Sequence, residues 1–60
     1  MNTLRAKEIS QSPDMKHVTY LDQQIYIQQV NEQSATARIF SLHEPDNEFV
    51  VNVDQLIEHR

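Results

Sequence analysis

Alternation of side chains across residues 25–42 constrains this chain more than any other feature. Ile25 and Ile27 are separated by one residue before an Asn-Glu-Gln-Ser break, and Ala37 and Ile39 are separated by one residue after it. Residues two apart share one face of a β-strand, so this period predicts two strands with a common apolar face. The stretch is therefore expected to fold as a β-hairpin with these four side chains in the core.

The same period predicts further strands on either side of this hairpin. The polar break and the Glu-Pro-Asp-Asn sequence carry the turn signals, and the second of these is the stronger. We expect strands at residues 17–20, 24–30, 35–42 and 48–53, with turns at residues 31–34 and 43–47. Four short strands at this spacing predict an antiparallel meander over residues 17–53.

The predicted sheet has apolar residues on both of its faces. The face opposite Ile25 and Ile27 would carry Tyr26, Val30, Phe40 and Leu42. A flat sheet would leave that face exposed, whereas strong twist or closure would cover it and shorten the free edges. We therefore expect a strongly twisted sheet or a small closed β-barrel.

Both ends of the chain are predicted to be helical. Residues 2–11 contain good helix formers, Asn2 or Thr3 can cap them, and Ser12-Pro13 stops the helix. Residues 54–59 resemble one helical turn with Asp54 as its cap. The predicted fold class is mostly β (α+β), in a single small domain of residues 1–60.

Cysteine and glycine are both absent from the 60 residues. A domain of this size buries only about 60% of its unfolded surface, and no disulfide or zinc spacing is present to reinforce it. Without glycine, tight turns depend on Asp or Asn. Two-residue loops of the Asn-Gly kind are excluded, so longer loops are expected.

Charge limits the classes of partner. The net charge is −4, and the five Lys and Arg residues are scattered along the chain. Strong binding to nucleic acid needs clustered cations, so this distribution argues against it. In acid the carboxylates are neutral, and five Lys or Arg with three charged His give a side-chain charge of +8. Such a chain is expected to stay dissolved in acid.

Membrane and secretion signals are weak. The longest apolar run is Phe49-Val50-Val51, which is far shorter than a membrane span. The polar N-terminus has no secretory apolar region. We expect a soluble protein of the cytoplasm without a membrane partner.

Candidate chemical groups do not form a recognisable site. His17, His43 and His59 lack metal-ligand spacing, and Glu44, Asp46 and Glu48 fit a solvated turn or a protected sheet edge better than a calcium loop. No nucleophile motif or phosphate-binding glycine loop is present. The sequence predicts no catalytic, cofactor-binding or metal residues, no cofactor and no enzymatic activity.

The aromatic residues leave one alternative open. They could stack on bases if they were exposed beside a cation, which would make the chain a small nucleic-acid-binding module. Aromatic residues at strand spacing are more often in the core. The alternative depends on the exposure of five side chains: Tyr20, Tyr26, Phe40, Phe49 and Arg38.

Several blocks of the sequence together resemble the H-type small acid-soluble spore proteins of endospore-forming bacteria. They are Leu4-Arg5-Ala6-Lys7-Glu8-Ile9, Val18-Thr19-Tyr20, Ile25-Tyr26-Ile27-Gln28, Val30, Glu32 and Thr36-Ala37-Arg38-Ile39. The resemblance covers nearly the whole chain. Two positions depart from the family pattern: Leu21-Asp22 stands where the family tends to have Asn-Gly, and Ser41 replaces a common proline.

The resemblance implies a minor protein that is made in the forespore during sporulation and kept in the spore core. It implies no molecular activity, because none is established for the family. The α/β-type spore proteins that coat DNA share the name but not the sequence, so their role is not transferred. Partner and oligomeric state stay open at this point.

Overall fold

The computed structural model describes residues 1–14 and 16–59. This part of the chain forms one helix, a five-stranded antiparallel sheet and a 3₁₀ turn at Val53–Gln55. The elements are α1 (Thr3–Gln11), β1 (Val18–Tyr20), β2 (Gln23–Asn31), β3 (Thr36–Ser41), β4 (Glu44–Asn52) and β5 (Ile57–Glu58). The predicted mostly β fold with a short N-terminal helix is confirmed.

The sheet is open, so the predicted barrel closure is wrong. Its strand order is β4-β3-β2-β1-β5, and the two edge strands do not pair. Helix α1 covers one face instead, and it buries Ala6 and Ile9 there. The sheet curls around this face until the rings of Tyr20 on β1 and Phe49 on β4 lie 5.8 Å apart. The helix supplies the second layer that closure would otherwise have provided.

The face that packs on α1, here the core face, contains the hydrophobic core. Its buried residues are all apolar, and no polar or charged residue of the described chain is buried. The members are Ala6, Ile9, Val18, Ile25, Ile27, Ala37, Ile39, Val51, Val53 and Leu56. The four core residues predicted from the central hairpin are therefore confirmed.

A bulge in β2 moves one apolar residue to the opposite face from the one predicted. Ile27 pairs with Ile39, but the next pairs are Gln29 with Arg38 and Val30 with Ala37. The extra residue in β2 reverses the alternation beyond it, because side chains switch faces at every residue. Val30 consequently packs against the core.

The first hairpin loop contradicts the expectation of longer loops. Tyr20 pairs with Gln23, so only Leu21 and Asp22 connect β1 to β2. Both have positive φ, 51° and 65°, as a type I′ turn requires. The turn matches the twist of the strands, and this fit outweighs the cost of placing a leucine in the left-handed region.

The second loop also differs in detail from its prediction. Asn31 ends β2, and its Oδ1 accepts hydrogen bonds from the backbone N–H groups of Gln33 and Ser34 at 3.0 and 3.3 Å. The positive φ of this loop, 55°, falls on Ala35 rather than on Asn31. The asparagine therefore shapes the turn through its side chain, as in an Asx turn.

The third reversal lies earlier than the predicted turn at residues 43–47. Ser41 pairs with Glu44, which leaves Leu42 and His43 as the loop. The ladder is irregular beyond this point, since Phe40 pairs with Glu48. Pro45 is tolerated inside β4 because this strand is at the sheet edge and because residues 45–47 do not pair with β3.

The C-terminal segment is a strand, so the predicted helical turn at residues 54–59 is wrong. After the 3₁₀ turn, β5 pairs Ile57 with Thr19 and Glu58 with Val18. The His59 N–H also donates to the His17 carbonyl at 2.8 Å. This pairing satisfies the backbone groups at the free edge of β1, and it leaves Leu56 fully buried. A helical turn at this position would not do both.

The N-terminal helix is fixed at its start by a capping hydrogen bond. Asn2 is its N-cap, and the Arg5 N–H donates to the Asn2 Oδ1 at 2.7 Å. The helix begins one residue later than predicted and ends at Gln11, before the predicted Ser12-Pro13 stop. The capping bond satisfies one of the N–H groups that a helix start leaves free.

Candidate functional site

The opposite side of the sheet, here the outer face, is the surface that folding leaves uncovered. The buried strand residues of the described chain all lie on the core face instead. Tyr26 on β2 and Phe40 on β3 lie directly opposite each other there, with their rings stacked at 5.3 Å. Tyr26 is 39% exposed and Val50 is 58% exposed, so this face presents apolar surface to solvent.

Arg38 lies two residues along β3 from Phe40 of the aromatic pair. It shares a strand and a face with Phe40, and it stands opposite Gln29 on β2 and Val50 on β4. A depression of about 270 Å³, open to solvent, surrounds it. The depression is lined by Gln29, Asn31, Thr36, Arg38 and Val50. Its lining combines two amides, a hydroxyl, one cation and an apolar side chain.

The four aromatic residues singled out in the sequence divide between the two faces. Tyr26 and Phe40 lie beside Arg38 on the outer face, as the nucleic-acid alternative would need. Tyr20 and Phe49 contact each other on the core side instead. The stacking surface near Arg38 is thus limited to one aromatic pair.

Two of the three histidines meet, although sequence spacing gave no sign of it. The rings of His17 and His59 stack at 4.6 Å, and a hydrogen bond of 2.8 Å joins the His59 Nε2 to the Thr19 Oγ1. The pairing of β5 with β1 brings the two rings together. This contact could not be expected from the sequence, because β5 was not predicted. Within residues 1–14 and 16–59, no three potential metal ligands come together.

The acidic cluster lies along an exposed sheet edge. Glu44, Asp46 and Glu48 are exposed on β4, an edge strand of the sheet. Carboxylates at such an edge oppose pairing with another strand, because they would be brought close to its backbone and side chains. This position agrees with the interpretation of the cluster, made from the sequence, as a solvated turn or a protected sheet edge.

Two ion pairs attach the helix to the rest of the fold. The Arg5 Nε and Nη2 atoms donate to the two carboxylate oxygens of Glu58 at 2.9 and 2.6 Å. The hydrogen bonds to Glu58, followed by its negative charge, raise the pKa of Arg5 above its ordinary value. Lys7 pairs with Glu32 in the second loop. Both contacts are structural, since they join α1 to β5 and to the β2–β3 loop.

Helix length bears on membrane association. None of the helical segments among the described residues is long and apolar enough to span a bilayer.

Comparison with known proteins assigns the family. Residues 1–58 match the model of the small acid-soluble spore protein H family. The chain is 58% identical to a small, acid-soluble spore protein H of Bacillus licheniformis, with 98% of this chain and 100% of that protein covered. A protein of the same name from Bacillus subtilis is 57% identical, with 97% and 98% covered.

The match extends to a relative of lower identity. A small, acid-soluble spore protein H of Alkaliphilus metalliredigens is 46% identical over 98% of this chain and 100% of that protein. No solved structure matches the chain. The chain belongs to the small acid-soluble spore protein H family.

Proposed function

We propose that this chain is a non-enzymatic protein of the bacterial spore, made in the forespore and held in the spore core. The observation that carries the proposal is the family match over residues 1–58, together with relatives that are named as acid-soluble spore proteins. The name of the family refers to the spore. The forespore and the spore core are part of our proposal.

The distribution of polar groups supports a role without catalysis. Catalytic acids and bases usually have altered pKa values and lie in an enclosed, partly apolar pocket. Here the buried residues of the described chain are all apolar, and the depression near Arg38 is open to solvent. His17 and His59, the one pair of imidazoles that meet, stack at the surface.

Acid solubility has a simple physical basis in this chain. The nine carboxylates carry the negative charge at neutral pH, and they become uncharged in acid. The Lys, Arg and His side chains then repel one another and keep the small protein dissolved. Acid extraction would therefore recover the protein whether or not it remains folded.

Extraction from cells and spores tests the proposal. Purified spores and vegetative cells of the source bacterium are extracted in acid, and the 7.1 kDa chain is measured by mass spectrometry. A fluorescent fusion followed through sporulation gives the compartment. We expect the chain in spore extracts and the fusion signal in the forespore alone. Equal amounts in vegetative cells, or a signal in the mother cell, would contradict the proposal.

Binding of single-stranded nucleic acid through Tyr26, Phe40 and Arg38 remains the alternative. The stack of exposed Tyr26 on half-buried Phe40 beside Arg38 motivates it, and the net charge of −4 opposes it. Titration of labelled DNA and RNA oligonucleotides at low and moderate salt tests it. Salt-dependent binding at micromolar protein is the result the alternative requires, and its absence would remove it.

A further inference from the structure

Four side chains on β3 and the edge strand β4 form a quadrilateral of two charged and two apolar groups on the outer face. Arg38 on β3 stands opposite Val50 on β4, and Phe40 stands opposite Glu48. The charges therefore occupy one diagonal and the apolar side chains the other. Neither Arg38 nor Glu48 has an ion-pair partner within the part of the chain that the structure describes, and both are exposed.

The other carboxylates are placed away from this face wherever their position is fixed. Glu58 points to the core side with Arg5, and Glu44 pairs with Ser41 in the core-side register. The helix, loops and 3₁₀ turn carry five more: Glu8, Asp14, Asp22, Glu32 and Asp54. Arg38 and Glu48 are therefore the two charged residues at the paired positions of the outer face, and Asp46 lies in the unpaired part of β4.

Charge selects the kind of partner that this face fits. A polyanion would meet one cation and one carboxylate side by side, inside a molecule that repels it overall. A second copy of the same face offers a carboxylate for Arg38 and a cation for Glu48. It also offers apolar surface to Tyr26, Phe40 and Val50.

A two-fold axis makes this match complete. When the axis runs along the diagonal from Phe40 to Val50, Phe40 meets Phe40 and Val50 meets Val50. Each Arg38 then faces Glu48 of the other copy, and this contact occurs twice. The strands of the two sheets cross at a large angle, which is one of the two common ways in which sheets pack.

We propose that the outer face binds a second copy of this chain and forms a symmetric, face-to-face dimer. The inference is independent of the location within the spore. The molecule measures 28 × 23 × 20 Å, so one face is smaller than the roughly 800 Å² per partner of a standard interface. The dimer is accordingly weak and forms at high protein concentration.

Charge reversal tests the arrangement. Sedimentation equilibrium measures dimerisation of the wild type, of Arg38→Glu and of Glu48→Arg, and of the two variants mixed in equal amounts. Each variant alone places like charges together twice, and we expect its dissociation constant to rise at least about tenfold. In the mixture every contact joins opposite charges again, so the mixed dimer should match the wild type.

Matched controls separate the contact from net charge. Lys16→Glu and Asp14→Arg change the net charge by the same amounts as the two test variants, but they lie outside the sheet. They should dimerise like the wild type. A wild type that stays monomeric at millimolar concentration, test variants no weaker than their controls, or a mixture that fails to recover would overturn the proposal.

Two further measurements keep the test independent of folding and of the alternative occupant. Concentration-dependent amide shifts in the NMR spectrum of the wild type should centre on residues 38, 40, 48 and 50, and shifts elsewhere would contradict the proposal. Titration with a single-stranded oligonucleotide distinguishes the polyanion. If Glu48→Arg strengthens oligonucleotide binding while Arg38→Glu abolishes it, and neither affects association, the face binds nucleic acid instead.

Discussion

The two faces of the sheet are built from the same strands but solve different problems. On the core face, Ile27 and Ile39 are 2% and 0% exposed beneath the helix. On the outer face, one position away on the same strands, Tyr26 is 39% exposed and stacks on the half-buried Phe40. The core face therefore accounts for folding, and the outer face is the part of the molecule available for a partner.

Truncation of one core residue should give the largest effect. Ile27→Ala removes buried surface and leaves a cavity, and we expect it to lower the free energy of unfolding by about 2–5 kcal/mol. A core this small seldom supplies more than roughly 3–5 kcal/mol, so the variant could be largely unfolded at room temperature. Urea denaturation measures the change.

Val50→Ala is the matched truncation on the outer face. Its side chain is 58% exposed, so its loss should lower stability by less than about 1 kcal/mol. Equal losses for the two variants would show that the faces are not as different as the structure makes them.

The two-residue loops provide a second comparison, with an intermediate effect. Leu21 and Asp22 have positive φ, whereas Leu42 and His43 do not. Replacing Leu21-Asp22 by Asn-Gly removes left-handed strain, and we expect thermal unfolding to show a gain of about 1–2 kcal/mol. The same replacement at Leu42-His43 adds flexibility without relieving strain and should destabilise the fold. A loss in the first loop would mean that its backbone is not a type I′ turn.

Loss of the helix cap should lower stability by a smaller amount, because it weakens the helix that covers the core face. Asn2→Ala removes the side-chain acceptor for the Arg5 N–H and should cost about 1 kcal/mol of stability. Asn2→Ser keeps an acceptor and serves as the control. Circular dichroism during urea unfolding measures both. If Asn2→Ala unfolds at the same urea concentration as Asn2→Ser, the capping bond does not stabilise the helix.

Sequence periodicity predicted the core of the central hairpin because its alternation is regular there. Ile25, Ile27, Ala37 and Ile39 were placed correctly for this reason. Val30 was placed on the wrong face because one bulge reverses the alternation, and the bulge leaves no signal in residue type. Local rules work here only up to the first irregularity in a strand.

The missed elements depend on tertiary contacts. β5 has two residues, too few for a period, and its pairing with β1 defines it. Two-residue loops of the Asn-Gly kind were excluded because the chain has no glycine, yet Leu21 and Asp22 adopt the positive φ angles of such a loop. The helix covering the core face removed the need for a barrel, and its packing could not be read from its weak apolar stripe.

The candidate surface was predicted in its residues but not in its arrangement. The sequence singled out Tyr26, Phe40 and Arg38 without fixing their exposure. Glu48 belongs to the acidic edge interpreted from the sequence, and the register also places it diagonal to Arg38 on the outer face. This neighbour changes the expected partner, because it cancels the charge that a nucleic acid would need.

A matched pair of neighbours in β4 tests the two-faced sheet most directly. Val50 is 58% exposed and Val51 is 7% exposed, so the same change to threonine samples opposite faces with nearly constant shape. Urea unfolding should show a change within about 0.5 kcal/mol for Val50→Thr, and a loss of about 1–3 kcal/mol for Val51→Thr, which buries a hydroxyl without a partner. Equal losses, or a larger loss for Val50→Thr, would contradict the assignment of the two faces.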